Sequence, residues 1–359
     1  MTNDYYPLKL RAIPYAKVWG GHNLEKLLGK SFAEDALIGE TWEAWGGCII
    51  ENGALTGLEL RDLIARDPRG ILGANAPDTR FPLLFKFIDA QDELSVQVHP
   101  DDAQAQAMEN YPFGKTEAWY IIHAEPNAAL IHGFKNDVDT KSIRGLLAED
   151  KLQNVLCHVP VTSGDVVFVP AGTVHAITRG IVLAEIQENS DITYRLYDWG
   201  RVGKGRDLHV EKSLHVANLK RMSDHKIQRL TIHHKECDQH FLVGCKYFSY
   251  ELFDIRTPMH LQFDKFNIVS LIAVRADISY DSGLPETIRA MRGQTFILPA
   301  RLGSVEIAPG ETPCQMLRAY VPDLRADVIA PLIHAGYREK EIARLGGAEP
   351  NANDLEKLF

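Results

Sequence analysis

The sequence lacks the features by which several large classes of protein are recognised. Only five cysteines occur in 359 residues, they are scattered, and none forms a C-x-x-C pair. This usage fits thiols in a reducing compartment and argues against a disulfide framework or a cysteine-based zinc finger. The first residues contain no signal-peptide-like apolar run, and no stretch approaches 18 consecutive apolar residues. We therefore expect a cytoplasmic protein that does not cross a membrane.

The sequence also has no excess of positive charge. Lysine and arginine number 39 against 48 aspartates and glutamates, which gives a formal net charge of −9. This balance argues against a nucleic-acid or membrane-surface partner, although a few cations can still form a local anion site. Neither a G-x-x-x-x-G-K-[ST] loop nor a strand-led G-x-G-x-x-G is present, and the glycines of 200–205 fit neither fingerprint. We expect a small-molecule ligand and no nucleotide cofactor.

Short β-branched and aromatic runs dominate the central part of the chain. They include residues 94–99, 117–122 and 165–169, and each is bounded by turn residues. This spacing favours an antiparallel sandwich or jelly roll. Helical patterns interrupt the strands at 52–66, 101–110 and 139–150. The composition, 45% hydrophobic and 24% charged, is that of a globular protein, and the length suggests about two domains.

A weak internal repeat supports two similar domains. Gly164 is followed after five residues by Pro170 and then by Gly172 and His175, whereas Gly293 leads with the same spacing to Pro299, Arg301 and Ser304. The repeat predicts a second barrel that has lost its metal ligands. Composition shifts towards histidine and lysine over 215–235, and the pattern turns helical from 326. We therefore expect domains at 1–225 and 226–324 and a helical, polar tail at 325–359.

Four potential metal ligands follow from the predicted strands. Gln97 and His99 lie two residues apart on one strand, so their side chains share a face. Glu117 opens the next strand, and His175 follows the turn Pro170-Ala171-Gly172. Two imidazoles, a carboxylate and an amide oxygen suit a borderline divalent ion such as zinc. The alternative, that these are hydrogen-bonded core or surface residues, is disfavoured by their occurrence together.

The spacing Gly164-x5-Pro170-x-Gly172-x2-His175 resembles the second cupin motif. The first cupin motif differs, because Gln97 replaces a histidine and Glu117 comes 18 residues after His99. In this arrangement the sequence resembles type I mannose-6-phosphate isomerases of the shorter bacterial form. The resemblance covers roughly residues 5–320. The segments that carry it are 81–102, 114–122, 169–177 and 185–201.

The resemblance implies a mainly β fold of two cupin-type jelly-roll barrels with inserted helices. It also implies one Zn²⁺ per chain, held by Gln97, His99, Glu117 and His175. The essential arginine of the family corresponds to Arg195, and a lysine two positions before the glutamate ligand corresponds to Lys115. We expect Arg195 to stabilise transition-state charge or phosphate, and Lys115 to serve ring opening or proton handling.

Four further residues are candidates for contact with the substrate. Lys86 lies on the strand before Gln97, where it could help to bind phosphate. The alternative is that its side chain simply extends its amine to solvent. Glu40 and Trp42 belong to an early segment shared with the family, and Glu185 lies on the strand after His175. The histidines at 233, 234 and 240 lack a convergent carboxylate, so we expect a linker or strand edge there rather than a second metal site.

The function implied is zinc-dependent interconversion of mannose 6-phosphate and fructose 6-phosphate through a cis-enediol. The alternative is a non-catalytic cupin that binds a sugar phosphate, such as a regulatory paralogue. A metal-dependent oxygenase is a third reading, but it would favour iron and has little use for a glutamine ligand. We expect a sugar phosphate as the small-molecule partner, and a monomer or weak homodimer.

Overall fold

Antiparallel strands form most of the regular structure in the computed structural model, which describes residues 5–33, 35–74, 79–201, 206–310, 314–348 and 353–359. The strands of the first half are β1 (Leu8–Lys9), β2 (Ile13–Gly21), β3 (Ile38–Ala44), β4 (Leu83–Ala90), β5 (Val96–Val98), β6 (Glu117–Ala124), β7 (Ala129–Phe134), β8 (Leu156–Pro160), β9 (Val166–Val169), β10 (His175–Ile177), β11 (Ile181–Glu188) and β12 (Tyr194–Tyr197). The prediction of a mainly β protein is confirmed.

The second half continues with shorter loops between its strands. These strands are β13 (Leu230–His233), β14 (Cys237–Gly244), β15 (Ser249–Ile255), β16 (Met259–Gln262), β17 (Asn267–Ala273), β18 (Ala276–Asp281), β19 (Pro285–Ala290), β20 (Thr295–Leu298), β21 (Ser304–Pro309) and β22 (Cys314–Tyr320).

The helices are short and lie between strands or at the C-terminal end. They are α1 (Asn23–Leu28), α2 (Leu60–Arg66), α3 (Pro68–Leu72), α4 (Asp102–Glu109), α5 (Thr140–Ala148), α6 (Val210–Val216), α7 (Ala330–His334) and α8 (Glu339–Ala343). Short 3-10 turns occur at Gly53–Leu55, Leu152–Asn154, Ala300–Leu302, Arg344–Gly346 and Glu356–Leu358, and a π-helical turn at Leu324–Ile329.

Two sheets form what we call the first sheet pair. The six-stranded sheet has the order β2-β3-β4-β11-β6-β9, and the five-stranded sheet has the order β12-β5-β10-β7-β8. Between them lies a hydrophobic core that includes Trp19, Trp119, Leu130 and Ile177. The outer face of the five-stranded sheet is covered by α5 and α6, through Ile143 among others.

The remaining strands form the second sheet pair. Its seven-stranded sheet has the order β1-β20-β17-β22-β15-β14-β13, and its four-stranded sheet has the order β16-β21-β18-β19. The core of this pair is continuous with the outer face of the six-stranded sheet, where Phe85 and Phe87 are buried. The C-terminal helices cover the other end of the molecule, where Leu332 and Ile342 pack with Phe241 of β14.

The strand pairings of the two sheet pairs repeat each other. In the first pair, β11 joins β4 and β6, β6 joins β9, and β10 joins β5 and β7. In the second pair, β22 joins β15 and β17, β17 joins β20, and β21 joins β16 and β18. Each strand of the second set stands eleven places after its counterpart, so the repeat predicted from a few residues extends over the whole strand order.

Two of the predicted helices are confirmed, and a third is shorter than expected. α4 starts at a capping box in which Asp101 and Gln104 satisfy each other's main-chain amides. α5 begins after Asp139, whose carboxylate accepts from the Ser142 amide. The prediction of one helix over 52–66 is wrong in its first half, because the helix begins only at Leu60. Gly57 has a φ of 89°, and its amide donates to Ile50 O. The chain therefore turns at Gly57 and does not form an α-helix there.

Among the helices of the described part of the chain, none is both long and apolar enough to cross a bilayer.

Candidate metal centre and cavity

Strand ends bring the four predicted metal ligands together between the sheets of the first pair. Gln97 lies in β5 directly opposite His175, the first residue of β10. Glu117 begins β6 in the facing sheet, and His99 follows the end of β5. The turn before β10 fixes His99, because the Gly172 amide donates to His99 O over 2.8 Å. Gly172 has a φ of 86°, a conformation that favours glycine.

The ligand atoms of this group are close and buried. His99, Glu117 and His175 are the one group of three or more potential ligands found among the described residues, with atoms within 4.8 Å of one another. Nε2 of His175 lies 3.2 Å from Oε1 of Glu117, and Nε2 of His99 lies 3.6 Å from Oε2. The Gln97 amide lies 3.3 Å from Nε2 of His175. This arrangement gathers three potential ligand atoms around one point, with the Gln97 side chain beside them.

The hydrogen bonds around the histidines set which ring nitrogen is protonated. Nδ1 of His99 lies 2.9 Å from Ile192 O, and Nδ1 of His175 lies 2.8 Å from Thr173 O. A carbonyl only accepts, so both Nδ1 atoms carry protons, and in the neutral form of each ring Nε2 is the atom that offers a lone pair. Oε1 of Glu117 is buried and accepts no hydrogen bond from the described residues. Lone pairs that face one another in a buried site are suited to bind a shared cation. Metal-binding histidines have the same arrangement, with the proton on the ring nitrogen that faces away from the metal.

Electrostatics favour a neutral His99 and an ionised Glu117. Burial and the charge of Lys115 lower the pKa of His99 well below its usual range. Burial alone would raise the pKa of Glu117, but Lys115, His175 and His99 outweigh it and hold that pKa well below the ordinary value. A neutral imidazole and a carboxylate are the forms that bind a metal ion.

Beside the ligands lies a polar cavity of about 310 Å³. Of the residues predicted from the sequence, Gln97, Lys115, Glu40, Lys86, Glu185 and Arg195 line it. Trp42 is not among the lining residues. Its ring lies 5.1 Å from Nζ of Lys86 and therefore packs against a residue of the cavity wall. The size and polarity of the cavity suit a small polar ligand.

Cations and carboxylates alternate along the cavity wall. Lys86 lies 3.6 Å from Glu185 and 3.8 Å from Glu40. Burial opposes the charge of Lys86, but Glu40 and Glu185 raise its pKa above the ordinary value. Burial and Glu117 raise the pKa of Glu185. Lys86 is therefore a permanently charged group inside the site.

Lys115 stands between the ligands and the cavity. Its amino group lies 2.6 Å from Oε2 of Glu117 and 3.0 Å from Nε2 of His99. Arg195 is paired in register with Gln97 across β5 and β12. Its Nη1 donates to Asp207 O over 3.0 Å, while its buried Nε has no partner among the described residues.

The structure adds cavity residues that the sequence alone did not single out. Asp191 and Thr193 follow β11, Lys17 lies on β2, and Arg206 follows the glycine-rich segment. Arg206 donates to both carboxylate oxygens of Asp198, one of them at 2.7 Å. The cluster of glycines and cations before Arg206 was a visible signal, but the pattern matched no known fingerprint. Residues 202–205 lie outside the described part.

The histidines of the second half form no metal group among the described residues. His233 ends β13, the edge strand of the seven-stranded sheet, and its Nδ1 lies 2.9 Å from Asp238. His240 is held between Thr231 and Asp254. The prediction of a linker or strand edge holds for His233 and His234, but it is wrong for His240, which lies in β14 between two other strands, and carboxylates do lie beside His233 and His240.

A mainly β fold with a buried His–Glu–His group that could hold a metal ion, beside a small polar cavity, is typical of a class: metal-dependent enzymes that act on small polar molecules. Comparison with known proteins makes the class specific. The family model "phosphomannose isomerase type I, catalytic domain" matches residues 8–118.

Relatives cover most of the chain. The mannose-6-phosphate isomerase of Streptococcus mutans is 34% identical over 306 residues, which span 83% of this chain and 94% of the relative. ManA, the mannose-6-phosphate isomerase of Bacillus subtilis, is 35% identical over 286 residues, 76% of this chain and 86% of the relative. A crystal structure of a Bacillus subtilis mannose 6-phosphate isomerase superposes with a TM-score of 0.81 at 29% identity, covering 88% of this chain and all of that one. The chain belongs to the family of type I mannose-6-phosphate isomerases.

Family membership confirms the prediction of an isomerase and favours catalysis over the non-catalytic alternative.

Proposed function

We propose that the chain interconverts mannose 6-phosphate and fructose 6-phosphate with one bound Zn²⁺. The observation that carries this proposal is the convergence of His99, Glu117 and His175 next to Lys115, which lines a cavity together with Arg195. The reaction moves a proton between C2 and C1 and another between O1 and O2, through a cis-enediol. It therefore needs acid–base groups and stabilisation of negative charge, but no redox partner.

Zinc is the ion proposed because the donor set contains two neutral imidazoles and one carboxylate. Gln97 completes the set once its amide turns its oxygen towards the histidines. The ion supplies Lewis-acid stabilisation of the sugar oxygens when bound. The main-chain carbonyls of Ile192 and Thr173 hold the two imidazoles in the required tautomer.

Lys115 is proposed to handle protons during ring opening or transfer between oxygens. Its amino group lies within hydrogen-bond distance of two ligands and also borders the cavity, so a sugar oxygen bound there is within its reach. Arg195 is proposed to bind the enediolate or the phosphate, because its Nε is buried and has no protein acceptor among the described residues.

The substrate-binding roles proposed for Lys86, Glu40 and Glu185 rest on their place in the cavity wall. Lys86 offers a fixed positive charge, and the two carboxylates accept hydrogen bonds from sugar hydroxyls. Trp42 is proposed to act indirectly, by packing its ring against the Lys86 amine.

For the architecture we propose two cupin-type jelly-roll barrels, at 1–225 and 226–324, and a tail at 325–359. The repeated strand pairing supports this division, and β1, which pairs with β20, ties the start of the chain to the second barrel. A monomer or weak homodimer in the cytoplasm is proposed, because large exposed hydrophobic side chains such as Val18, Leu284 and Ile333 come from separate elements.

A coupled assay with mannose 6-phosphate tests the proposal. Activity should disappear after treatment with a chelator and return when zinc is added back, with about one ion bound per chain. Absence of activity at full zinc occupancy would reject the proposed reaction, and recovery only with another divalent ion would reject zinc.

A further inference from the structure

The second sheet pair carries polar residues at the positions of the metal centre. His175 is the first residue of β10 and pairs with Gln97, while Ser304 is the first residue of β21 and pairs with Gln262. The repeated Gly-x5-Pro spacing aligns His175 with Ser304 independently. Gln262 is therefore the counterpart of Gln97.

The same correspondence holds in the facing sheet. Glu117 begins β6 opposite Val169, just as Asn267 begins β17 opposite Leu298. Two residues before these strands stand Lys115 and Lys265. An amide thus replaces the carboxylate ligand, while the lysine is kept.

The buried ion pair of the first cavity recurs with its signs exchanged. Glu185 pairs with Lys86 across β11 and β4, and their charged atoms lie 3.6 Å apart. At the equivalent register Arg318 pairs with Glu251 across β22 and β15, with charged atoms 3.3 Å apart.

A cavity of about 540 Å³ opens at this second cluster. Ser304 and Gln262 are exposed at its mouth, and Arg318 is largely buried at its inner wall. Its lining includes Gln262, Lys265, Ser304, Arg318, Tyr320 and Asp327. Its volume exceeds that of the first cavity, which is about 310 Å³.

The groups around this cavity do not suit a metal ion. Asn267 Oδ1 accepts from Arg318 Nε over 2.6 Å, so it is not available as a ligand. The carboxylates of Asp327 and Glu251 are paired with Lys265 and Arg318, and no group of potential ligands occurs here within the described part of the chain. Any ligand must be bound by hydrogen bonds and charge rather than by coordination.

We infer that this cavity is a second, metal-free binding site for a small polyhydroxylated molecule of the monosaccharide class. Both donors and acceptors are present: Arg318 and Gln262 donate, Asp327 accepts, and Ser304 does either. Nη2 of Arg318 has no acceptor among the described residues, while Nε and Nη1 are held by Asn267 and Glu251.

The inner wall of the cavity is rigid. The guanidinium of Arg318 lies 4.3 Å from the centre of the buried Tyr320 ring, and Tyr320 Oη is fixed by a 2.7 Å bond to Glu251. A rigid polar wall suits a sugar, whose hydroxyls both donate and accept. Because the mouth is open to solvent, we expect an affinity on the order of 1 mM.

A cysteine reporter in the cavity tests the inference without relying on catalysis. Four native cysteines are buried and Cys157 is half-buried, so Cys157→Ser provides a quiet background. In that background, Ser304→Cys places a thiol at the mouth of the cavity, and its alkylation by iodoacetamide is followed by mass spectrometry in the zinc-loaded protein. We expect mannose to slow alkylation at least three-fold in a saturable manner.

Two comparisons make the result specific. Thr287→Cys, on the exposed edge strand β19 of the same sheet, should react at a rate that mannose does not change. Gln262→Ala, an exposed position, should raise the half-protecting concentration at least five-fold in the Ser304→Cys protein. No protection by 100 mM mannose or mannose 6-phosphate (roughly 100 times the expected dissociation constant) would overturn the inference. Protection by mannose 6-phosphate and inorganic phosphate alone would also overturn it, in favour of a simple anion site.

Discussion

At the positions where the first sheet pair holds His175 and Glu117, the second holds Ser304 and Asn267 on strands of the same order and register. The first cluster combines two imidazoles with a buried carboxylate, and among the described residues it is the one place where such potential ligands converge. The strand framework fixes where side chains meet, whereas the residue types decide between metal coordination and hydrogen bonding. The comparison therefore separates the contribution of the fold from that of the chemistry.

The largest expected effect comes from making the first site resemble the second. His175→Ser removes an imidazole and installs the residue found at the equivalent position. We expect zinc content to fall from one to near zero per chain and turnover to fall by about 10³-fold or more, because the site keeps only one imidazole and one carboxylate besides the weakly binding Gln97 amide. Elemental analysis and the coupled assay measure both quantities.

The reverse change should not create a metal site. In Ser304→His the new imidazole meets Asn267, whose oxygen is engaged by Arg318, so zinc should stay at one per chain. A second equivalent of zinc in this protein, or full zinc and turnover in His175→Ser, would contradict the assignment of the difference to these residues.

The next effect separates catalysis from metal binding. Lys115→Met keeps all four ligands, so zinc should remain near one per chain. Turnover should fall by about 10²-fold, which is the lower range for removal of a positioned acid–base group. Lys220→Met, at an exposed lysine paired with Asp137, is the matched control and should behave like the wild type. Unchanged turnover in Lys115→Met would remove Lys115 from the mechanism.

The exchanged ion pairs give a comparison in stability. Lys86→Met leaves Glu185 buried without a cation and with one hydrogen bond, from Trp119, whereas Glu40 keeps Lys17; we expect a loss of about 3–5 kcal/mol in the free energy of unfolding. Arg318→Met should cost less, about 1–3 kcal/mol, because Glu251 keeps hydrogen bonds from Tyr320 and Gln239. Urea denaturation measures both losses, and a greater loss in Arg318→Met would show that the retained bonds do not compensate.

The sequence predicted best what depends on local pattern. Short alternating strands, the capped start of α4 and the spacing around His175 are all readable in a few residues. It predicted poorly what depends on residues far apart in the chain. The sequence suggested one helix over 52–66, but main-chain bonds to Ile50 turn its first half into an irregular segment. Arg206 and Asp191 reach the cavity only because distant strands close around it.

The repeat shows the same limit. Gly293 and Pro299 suggested a second copy, yet the correspondence of Arg318 with Glu185 emerges only from strand register. When the two residues of a buried ion pair exchange their charges, the pair is preserved but the sequence similarity at both positions is lost. A comparison of sequence patterns therefore cannot detect the correspondence.

The smallest expected effect is a pH dependence that only the first sheet pair should show. At the end of β11 the first pair buries Glu188, whereas the register places Val321 at the equivalent position after β22. Burial and the neighbouring Asp102 raise the pKa of Glu188 well above its ordinary value, although the Thr116 amide, 2.8 Å away, acts in the opposite direction. Tyr247, which donates to Asp102 over 2.9 Å, is the other titratable group in contact with this pair.

A raised carboxyl pKa in the folded state lowers stability as pH rises. Below the pKa of the carboxyl in the unfolded chain, about 4.3, the folded and unfolded states both hold the proton, and the carboxyl does not change the free energy of unfolding. Above that pH only the folded state holds the proton, so the free energy of unfolding falls until the pH passes the pKa of the folded state. Glu188→Gln keeps a donor facing Asp102 and removes the ionisation. We expect its thermal midpoint to exceed that of the wild type at pH 8 and the difference to vanish near pH 4.5, as followed by circular dichroism. A difference that is constant between these pH values would mean that Glu188 is ionised in the folded protein without penalty, and that the two sheet pairs do not differ in this respect.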